Sequence, residues 1–371
     1  MNGRFLDRSI TRNFDFTMFG ITLLLCAIGI GAIYSANLQS ESLYIKSMFM
    51  RQLAWAFVAT MLMLGMMLID YRTLERIAYP VYWMGVGSLI AVDIFGKTVY
   101  GAQRWLSLGG LNIQPSELMK IAVIILVARI IDDMEKESDL TLRDLLKPAF
   151  YIAIPFLLVA KQPDLGTAMI YLIILAGIAF FNGVNKGTLI RMGVTLALFL
   201  PTSWFLLKPY QKNRLLTLIN PEADPMGKGY HTIQSKIAIG SGGFWGKGLF
   251  QGTQSKLNFL PEKHTDFIFS VISEEVGFIG SIALIAIFFF LSMRIVEVAM
   301  HSRDKGGSLL VAGVATMITF NFVYNIGMTL GIFPIVGVPL PFISYGGSAL
   351  ITNAIGVGIV LNVSYKRFSV D

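Results

Sequence analysis

The stretch FIFSVISEEVGFIGSIALIAIFFFLSM (267–293) decides the fold class, because Glu274 and Glu275 are its only charged residues. About 20 apolar residues in a helix cross a hydrocarbon core about 30 Å thick, and this run exceeds that length. Apolar windows at 16–34, 49–69, 77–95, 116–131, 148–160, 165–182, 188–207, 308–332 and 342–363 bring the predicted spans to about ten. The whole composition agrees: 371 residues are 54% hydrophobic and 14% charged, against about 25% charged in soluble domains. Mean hydropathy is +0.65. The chain reads as an all-α polytopic membrane protein, a single membrane domain over 1–371.

Several chemistries are excluded at once. Cys26 is the single cysteine and lies in the first apolar run, which leaves no disulfide scaffold, thiolate metal cluster or CxxC redox pair. His231, His264 and His301 lack HExxH-type spacing, so a zinc site built on histidines is not expected. The net charge of +7 does not call for nucleic acid, since lysine and arginine set topology in membrane proteins. The first run follows Arg4, Arg8 and Arg12 and reads as a retained anchor rather than a cleaved signal.

Basic residues in alternate loops set the expected orientation. Of 30 lysines and arginines, 16 fall on the side of the termini and 6 in the short loops and helix ends opposite. The termini are therefore expected in the cytoplasm. The other 8 basic residues lie in a long extracytoplasmic loop, 208–265, between the seventh and eighth spans. A loop of that length is usually functional. Tyr230, Ile233, Ile237 and Ala238 form an apolar helical face opposite Thr232, Gln234, Ser235 and Lys236, the pattern of an interfacial helix. Glycines 240, 242, 243, 246, 248 and 252 then predict a pliable, turn-rich stretch.

Ionisable groups within or at the mouth of spans are costly and point to function. Glu117 and Lys120, in QPSELMK, stand three residues apart on one helix face and can pair. Equally, Pro115 and Ser116 start a helix there, Glu117 suits its positive end and Lys120 snorkels outward. Arg104 and Trp105 lie in an outer loop, GAQRWLSLGG, where a guanidinium can grip phosphate and a tryptophan ordinarily belongs to the interfacial belt. Asp164 sits at the tip of QPDLG as a turn cap or a ligand. In PEKHTDFIFS, Thr265 is placed to cap the eighth span and Asp266 to enter its first turn. The helix dipole lowers the pKa of a carboxylate there and burial raises it, a balance suited to a base. His264 is a neighbour that tunes Asp266 or an exposed interfacial histidine. GVPLPFISYGGSAL, with Ser344, Tyr345, Gly346, Gly347 and Ser348, is expected to be irregular backbone feeding a helix N-terminus, an anion cradle or a close-packing strip of small residues.

Taken together, GAQRWL (101–106), QPSELMKIA (114–122), QPDLGTA (162–168), NPEADPMGKGYHTIQSKIAIGSGG (220–243), GKGLFQGTQSKLNFLPEKHTDFIFSVISEEVG (246–277) and GVPLPFISYGGSAL (337–350) resemble the SEDS family of shape, elongation, division and sporulation proteins. The phrase GTQSKLNFLPEKHTDFIF favours the elongation members over the division members.

That resemblance implies ten helices and a peptidoglycan glycosyltransferase site on the outer face of the cytoplasmic (inner) membrane. The substrates it implies are lipid II and an undecaprenyl-linked glycan, with undecaprenyl pyrophosphate leaving and a β-1,4 bond formed by inversion. Asp266 matches the family aspartate proposed as general base for the acceptor 4-hydroxyl. Arg51, Arg104, Lys120 and Lys236 would meet pyrophosphate charge, and Glu117 would orient Lys120. Trp105, His264 and Ser344 complete the expected binding residues. Asp164 would hold sugar hydroxyls or a divalent cation such as Mg²⁺, for which Asp266 is the other candidate ligand. Implied partners are a class B penicillin-binding transpeptidase and the MreB, MreC and MreD elongation proteins. Two other classes compete: a lipid II flippase and a non-catalytic scaffold. A flippase needs polar groups spaced through the membrane depth, whereas Glu117, Lys120, Asp164 and Asp266 are all expected near one end.

Overall fold

A computed structural model describes residues 14–38, 43–99, 102–108, 111–134, 139–207, 209–223, 227–256, 259–260 and 262–367. The N-terminal arginines, Lys136, Lys208 and positions 224–226, 257, 258 and 261 of the quoted motifs lie outside these residues. The chain runs α1 (Phe16–Asn37), α2 (Leu43–Met66), α3 (Tyr71–Arg76), α4 (Ala78–Phe95), β1 (Lys97–Val99), β2 (Ala102–Leu108), β3 (Leu111–Ile113), α5 (Pro115–Asp132), α6 (Leu142–Lys161), α7 (Leu165–Asn182) and α8 (Lys186–Leu206). It continues through α9 (Pro209–Ile219), a 3₁₀ turn (Pro221–Ala223), α10 (Lys228–Ser241), α11 (Thr253–Lys256), α12 (Ile268–Met300), α13 (Lys305–Thr329) and α14 (Gly347–Lys366).

Among the described residues, seven helices are long and apolar enough to span a bilayer: α1, α2, α4, α7, α12, α13 and α14. Helices α5, α6 and α8 are 18, 20 and 21 residues long and occupy the other three expected segments. Their charged residues, four in α5 alone (Glu117, Lys120, Arg129 and Asp132), lower their apolar character. Polar starts are set locally. Asp15 accepts from the Met18 amide, Asp304 from the Gly307 amide, and Thr141 with Asp144 closes a capping box on α6. The last helix begins at Gly347, five residues later than expected, because 338–346 is non-helical and Phe342 has φ 64°.

The core is built on α5, α13 and α14. Residues 119–128 of α5 are all buried, and about three quarters of the apolar windows of α13 and α14 are buried, against under half in the other candidate spans. Large side chains face outward around them, including Phe57, Phe95, Leu157 and Phe289. That arrangement suits a solvent that is itself apolar, in which only the backbone must be satisfied internally. Helix α8 is the extreme case, with every residue from 189 to 198 exposed.

The structure corrects the sequence reading in two places and details it in a third. The expected outer loop at 101–110 contains β2, which pairs antiparallel with β1 and β3 and sets Trp105 opposite Lys97. Helix α10 is present, and the side it packs inward combines Thr232 and Ser235 with Ala238, while Lys236 and Ile237 are exposed. Ser235 is fully buried and bonds to Ser270 Oγ at 2.7 Å and the Thr329 carbonyl at 2.6 Å. The glycine-rich stretch after it is fastened rather than pliable. Gly277 (φ 68°, ψ −164°) breaks α12 into two segments, 268–276 and 278–300. The carbonyls of Glu274 and Glu275 accept from the Lys247 and Gly248 amides at 3.0 Å, and the Phe278 amide donates to the Gly243 carbonyl at 2.9 Å. Loop 242–248 thus takes up the hydrogen bonds that the break frees. Lys247 Nζ also reaches Glu274 at 2.6 Å, and Ser35 of α1 donates to Glu275.

Candidate active site

The turn 262–267 delivers Asp266 to the start of the first α12 segment. Phe267 is the N-cap, so Asp266 stands one residue outside the helix rather than in its first turn. Thr265 does not cap; its hydroxyl turns back to the Glu262 carbonyl at 3.3 Å and the Glu262 carboxylate at 3.2 Å. Asp266 is half-buried and its carboxylate faces Gly337, where a Cβ would lie 3.4 Å from Oδ2. Gly337 has φ 78°, a conformation that glycine adopts without steric cost.

Loop 331–346 is stitched to this turn. Ser344 Oγ donates to the Thr265 carbonyl at 2.6 Å and accepts from the Leu340 amide at 2.8 Å. The Tyr345 amide donates to the His264 carbonyl at 2.9 Å, and the Gly346 amide to Gln52 Oε1 at 3.3 Å. The Ile343 and Ser344 amides bond to the Leu340 carbonyl. The Ser344, Tyr345 and Gly346 amides of the expected anion cradle are therefore engaged within the protein, because the loop satisfies its own backbone at depth. Ser344 is buried in this role. The His264 ring packs edge-on to Tyr345 with centroids 6.0 Å apart, and its Nδ1 is buried without a hydrogen-bond partner. Burial holds the His264 pKa below the usual imidazole value and does the same to Lys263.

A second polar group lies across the same loop. Asp164 caps α7, accepting from the Thr167 amide at 3.3 Å and the Thr167 hydroxyl at 3.1 Å. Gln114 Nε2 donates to Asp164 at 3.3 Å, and the Gln114 amide donates to Ser348 Oγ at 2.9 Å. Half-buried Arg104, on β2, donates from Nε to the Gln162 carbonyl at 2.9 Å, forks onto the Pro163 carbonyl and stands 3.8 Å from Asp164 Oδ1. Gly166, two residues beyond Asp164, lies against Val336, with a would-be Cβ 3.0 Å from its carbonyl oxygen. The dipeptide Val336–Gly337 therefore separates the Asp164 and Asp266 groups. The structure brings Asp266, Asp164, Arg104, His264 and Ser344 to one end of the bundle.

The remaining expected residues divide. Lys120 and Glu117 form an ion pair at 2.7 Å, with side chains 1% and 5% exposed, so they are sealed in the core behind Tyr171, whose hydroxyl bonds to the Ser116 carbonyl. Arg51 is exposed beside Gln52, and Lys236 is exposed on α10 with its stem over Gly331. Trp105 is half-buried on β2. The sequence reading missed Gln52, Gln114 and above all Asn325, which is wholly buried and donates from Nδ2 to the Asp266 carbonyl at 3.0 Å and the Val338 carbonyl at 2.8 Å. An amide in the middle of an apolar run was the available signal. Among the described residues, no three His, Cys, Asp or Glu side chains gather as a metal site.

The model of the cell cycle protein family that comprises FtsW, RodA and SpoVE matches residues 16–368. The chain is 42% identical to the peptidoglycan glycosyltransferase MrdB of Escherichia coli K12 over 365 residues, covering 95% of this chain and 94% of that one. It is 32% identical to the peptidoglycan glycosyltransferase RodA of Treponema pallidum, with 96% and 98% covered. Among solved structures it is similar to a chain from a peptidoglycan synthase complex that coordinates polymerization and crosslinking, at TM-score 0.81 and 29% identity over 96% and 98% of the chains. It is also similar to the rod shape determining protein RodA of Thermus thermophilus, at TM-score 0.70 and 27% identity over the same shares. With a family match across nearly its whole length and relatives aligned end to end, the chain belongs to the SEDS family of FtsW, RodA and SpoVE and is a multi-pass membrane peptidoglycan glycosyltransferase.

Proposed function

We propose that the chain polymerises lipid II into β-1,4 glycan strands with Asp266 as general base. The observation that carries the reading is a half-exposed carboxylate fixed against Gly337, on the same end of the bundle as Arg104. Asp266 takes the proton from the 4-hydroxyl of the acceptor GlcNAc. The freed oxygen attacks the anomeric carbon of the donor MurNAc from the face opposite its pyrophosphate, forming the β-1,4 bond as the bond to the pyrophosphate oxygen breaks. Undecaprenyl pyrophosphate departs with the electron pair, and cations placed where that charge develops lower the barrier. Arg104, Arg51 and Lys236 serve this role, while the sealed Glu117–Lys120 pair supports the floor beneath them. Trp105 and His264 border the sugars, and Ser344 holds the loop.

A divalent cation such as Mg²⁺ fits this end of the bundle only with help from the substrate. Asp164 is engaged by Thr167, Gln114 and Arg104, and Asp266 is the other candidate carboxylate that would share the ion with pyrophosphate oxygens. Such an ion would neutralise leaving-group charge. With α5, α6 and α8 counted as crossings, ten spans return both termini to one side, and the lysine and arginine bias of the short loops makes that side the cytoplasm, with the site on the extracytoplasmic face of the inner membrane and 208–265 as the outer segment. The side chains exposed along α8 suit a lateral opening for polyprenyl tails. The synthase complex among the structural relatives, which coordinates polymerization and crosslinking, supports a class B transpeptidase partner; the MreB, MreC and MreD elongation proteins are partners that the family resemblance alone implies.

The deciding experiment incubates labelled lipid II with the purified chain, with and without its transpeptidase, and compares Asp266→Asn with wild type on gels. Loss of polymer with intact partner binding is expected. Polymer at the wild-type rate would sink the base assignment, and no polymer under any condition would favour the flippase or scaffold alternatives.

A further inference from the structure

We infer that Asn325 is a positioning residue for the transfer step: it fixes how far Asp266 stands from the Asp164 and Arg104 group. The inference rests on the reading of Asp266 as base. Asn325 lies on α13, in the apolar run ITFNFVYNIGM (318–328), and has no exposed surface. One amide nitrogen serves two strands of irregular backbone at once, the Asp266 carbonyl at 3.0 Å and the Val338 carbonyl at 2.8 Å. Its Oδ1 is buried and has no hydrogen-bond partner, so the amide is held by what it donates.

The two carbonyls belong to the elements that frame the site. Asp266 carries the carboxylate, and Val338 follows Gly337, against which that carboxylate rests at 3.4 Å from a would-be Cβ. One residue earlier, Val336 packs on Gly166 of α7, the helix that Asp164 caps. The path from base to the Arg104 side therefore runs Asp266, Asn325, Val338, Val336, Gly166, Asp164, and Asn325 is its buried polar link. Without that amide, the Asp266 and Val338 carbonyls lose their shared donor, and the Asp266 end of the turn is tied to the loop only through the neighbouring Ser344–Thr265 and Tyr345–His264 bonds, which leaves the carboxylate free to shift. A displacement of about 1 Å in a reacting group costs about a hundredfold in rate.

The test uses the full chain with its transpeptidase partner and labelled lipid II, measuring kcat, KM and melting temperature. Asn325→Leu removes the donor at similar volume, and Asn325→Asp keeps the shape but, as a buried carboxyl held neutral beside two carbonyls, has one hydrogen to donate where the amide has two. Expected is a kcat lower by about 10- to 100-fold per folded molecule, with KM for lipid II within about twofold of wild type. Gly337→Ala, which pushes on the carboxylate from the loop side, gives the same kcat loss. If Asn325→Leu fails to fold, the isosteric aspartate variant carries the reading. Wild-type kcat in the folded variants, or a rise in KM alone, overturns the inference. Asp266→Asn at the wild-type rate overturns the base reading instead, whatever Asn325 does.

Discussion

The Lys120 ammonium lies 2.7 Å from the Glu117 carboxylate, with 1% and 5% of the two side chains exposed. A buried pair is costly to break from one side, about 3–5 kcal/mol, because the remaining charge is left uncompensated. Replacing both partners costs far less.

Lys120→Met or Glu117→Gln alone is accordingly expected to destabilise the chain by about 3–5 kcal/mol, and the double variant by less than either. Thermal unfolding in detergent reads this directly. If the double variant is as unstable as the sum of the singles, the pair is not the unit the geometry describes. Activity per folded molecule in the double variant then reports whether Lys120 meets pyrophosphate or only supports the floor.

The break in α12 gives a second prediction. A Cβ on Gly277 would fall on the Gly246 nitrogen, and one on Gly246 would fall on the Glu275 carbonyl. Gly277 and Gly246 both have positive φ, 68° and 80°, where a side chain adds about 1–2 kcal/mol of strain. Gly277→Ala and Gly246→Ala should each reduce the folded yield sharply, measured by size-exclusion chromatography, and the double variant should lose less than the sum, since both break one contact. Additive losses would mean that the two sites are independent.

These particulars show what the sequence disclosed. The spans were legible because length and apolarity are local properties, and Asp266, Asp164 and Arg104 stood out as charges beside apolar runs. The hairpin at 97–113 was not, since AQRWLSL is too short for alternation to distinguish a strand from a loop. Nor was the role of the glycines at 242–248, whose hydrogen bonds lie with Glu274, Glu275 and Phe278, some thirty residues away. Asn325 carried a local cost that was readable, but its partners come from two distant segments.

At the opposite end of the bundle, Glu75 supplies a pH prediction. Burial and the nearby Asp132 and Asp304 carboxylates raise its pKa from 4.5 to about 7, against the pull of Arg129 and Arg72. Its Oε1 is buried without a hydrogen-bond partner, against Gly306. Between about pH 4.5 and 7 the folded state keeps a proton that the unfolded chain has released. Stability from this group is thus complete below about 4.5 and lost as pH rises through about 7. The loss is roughly 3 kcal/mol at most. Glu75→Gln, neutral throughout, should match wild type at pH 5 and melt higher at pH 8. Parallel melting curves for the two proteins would refute the assignment.

Arg104 separates charge from geometry. Its guanidinium donates to the Gln162 and Pro163 carbonyls and stands 3.8 Å from Asp164, so the planar fork fixes the turn between α6 and α7 while presenting a cation at the site. Lysine retains the charge but offers a single ammonium that cannot reproduce the fork. If geometry dominates, Arg104→Lys should fall as far as Arg104→Ala, about 10- to 100-fold in kcat, because Asp164 and Gly166 shift and carry Val336 with them. Partner binding should survive in both, since the affected contacts are internal to the turn. Polymerisation by the lysine variant near the wild-type rate would show instead that positive charge alone is what the site needs from this position, and that the turn holds without the fork.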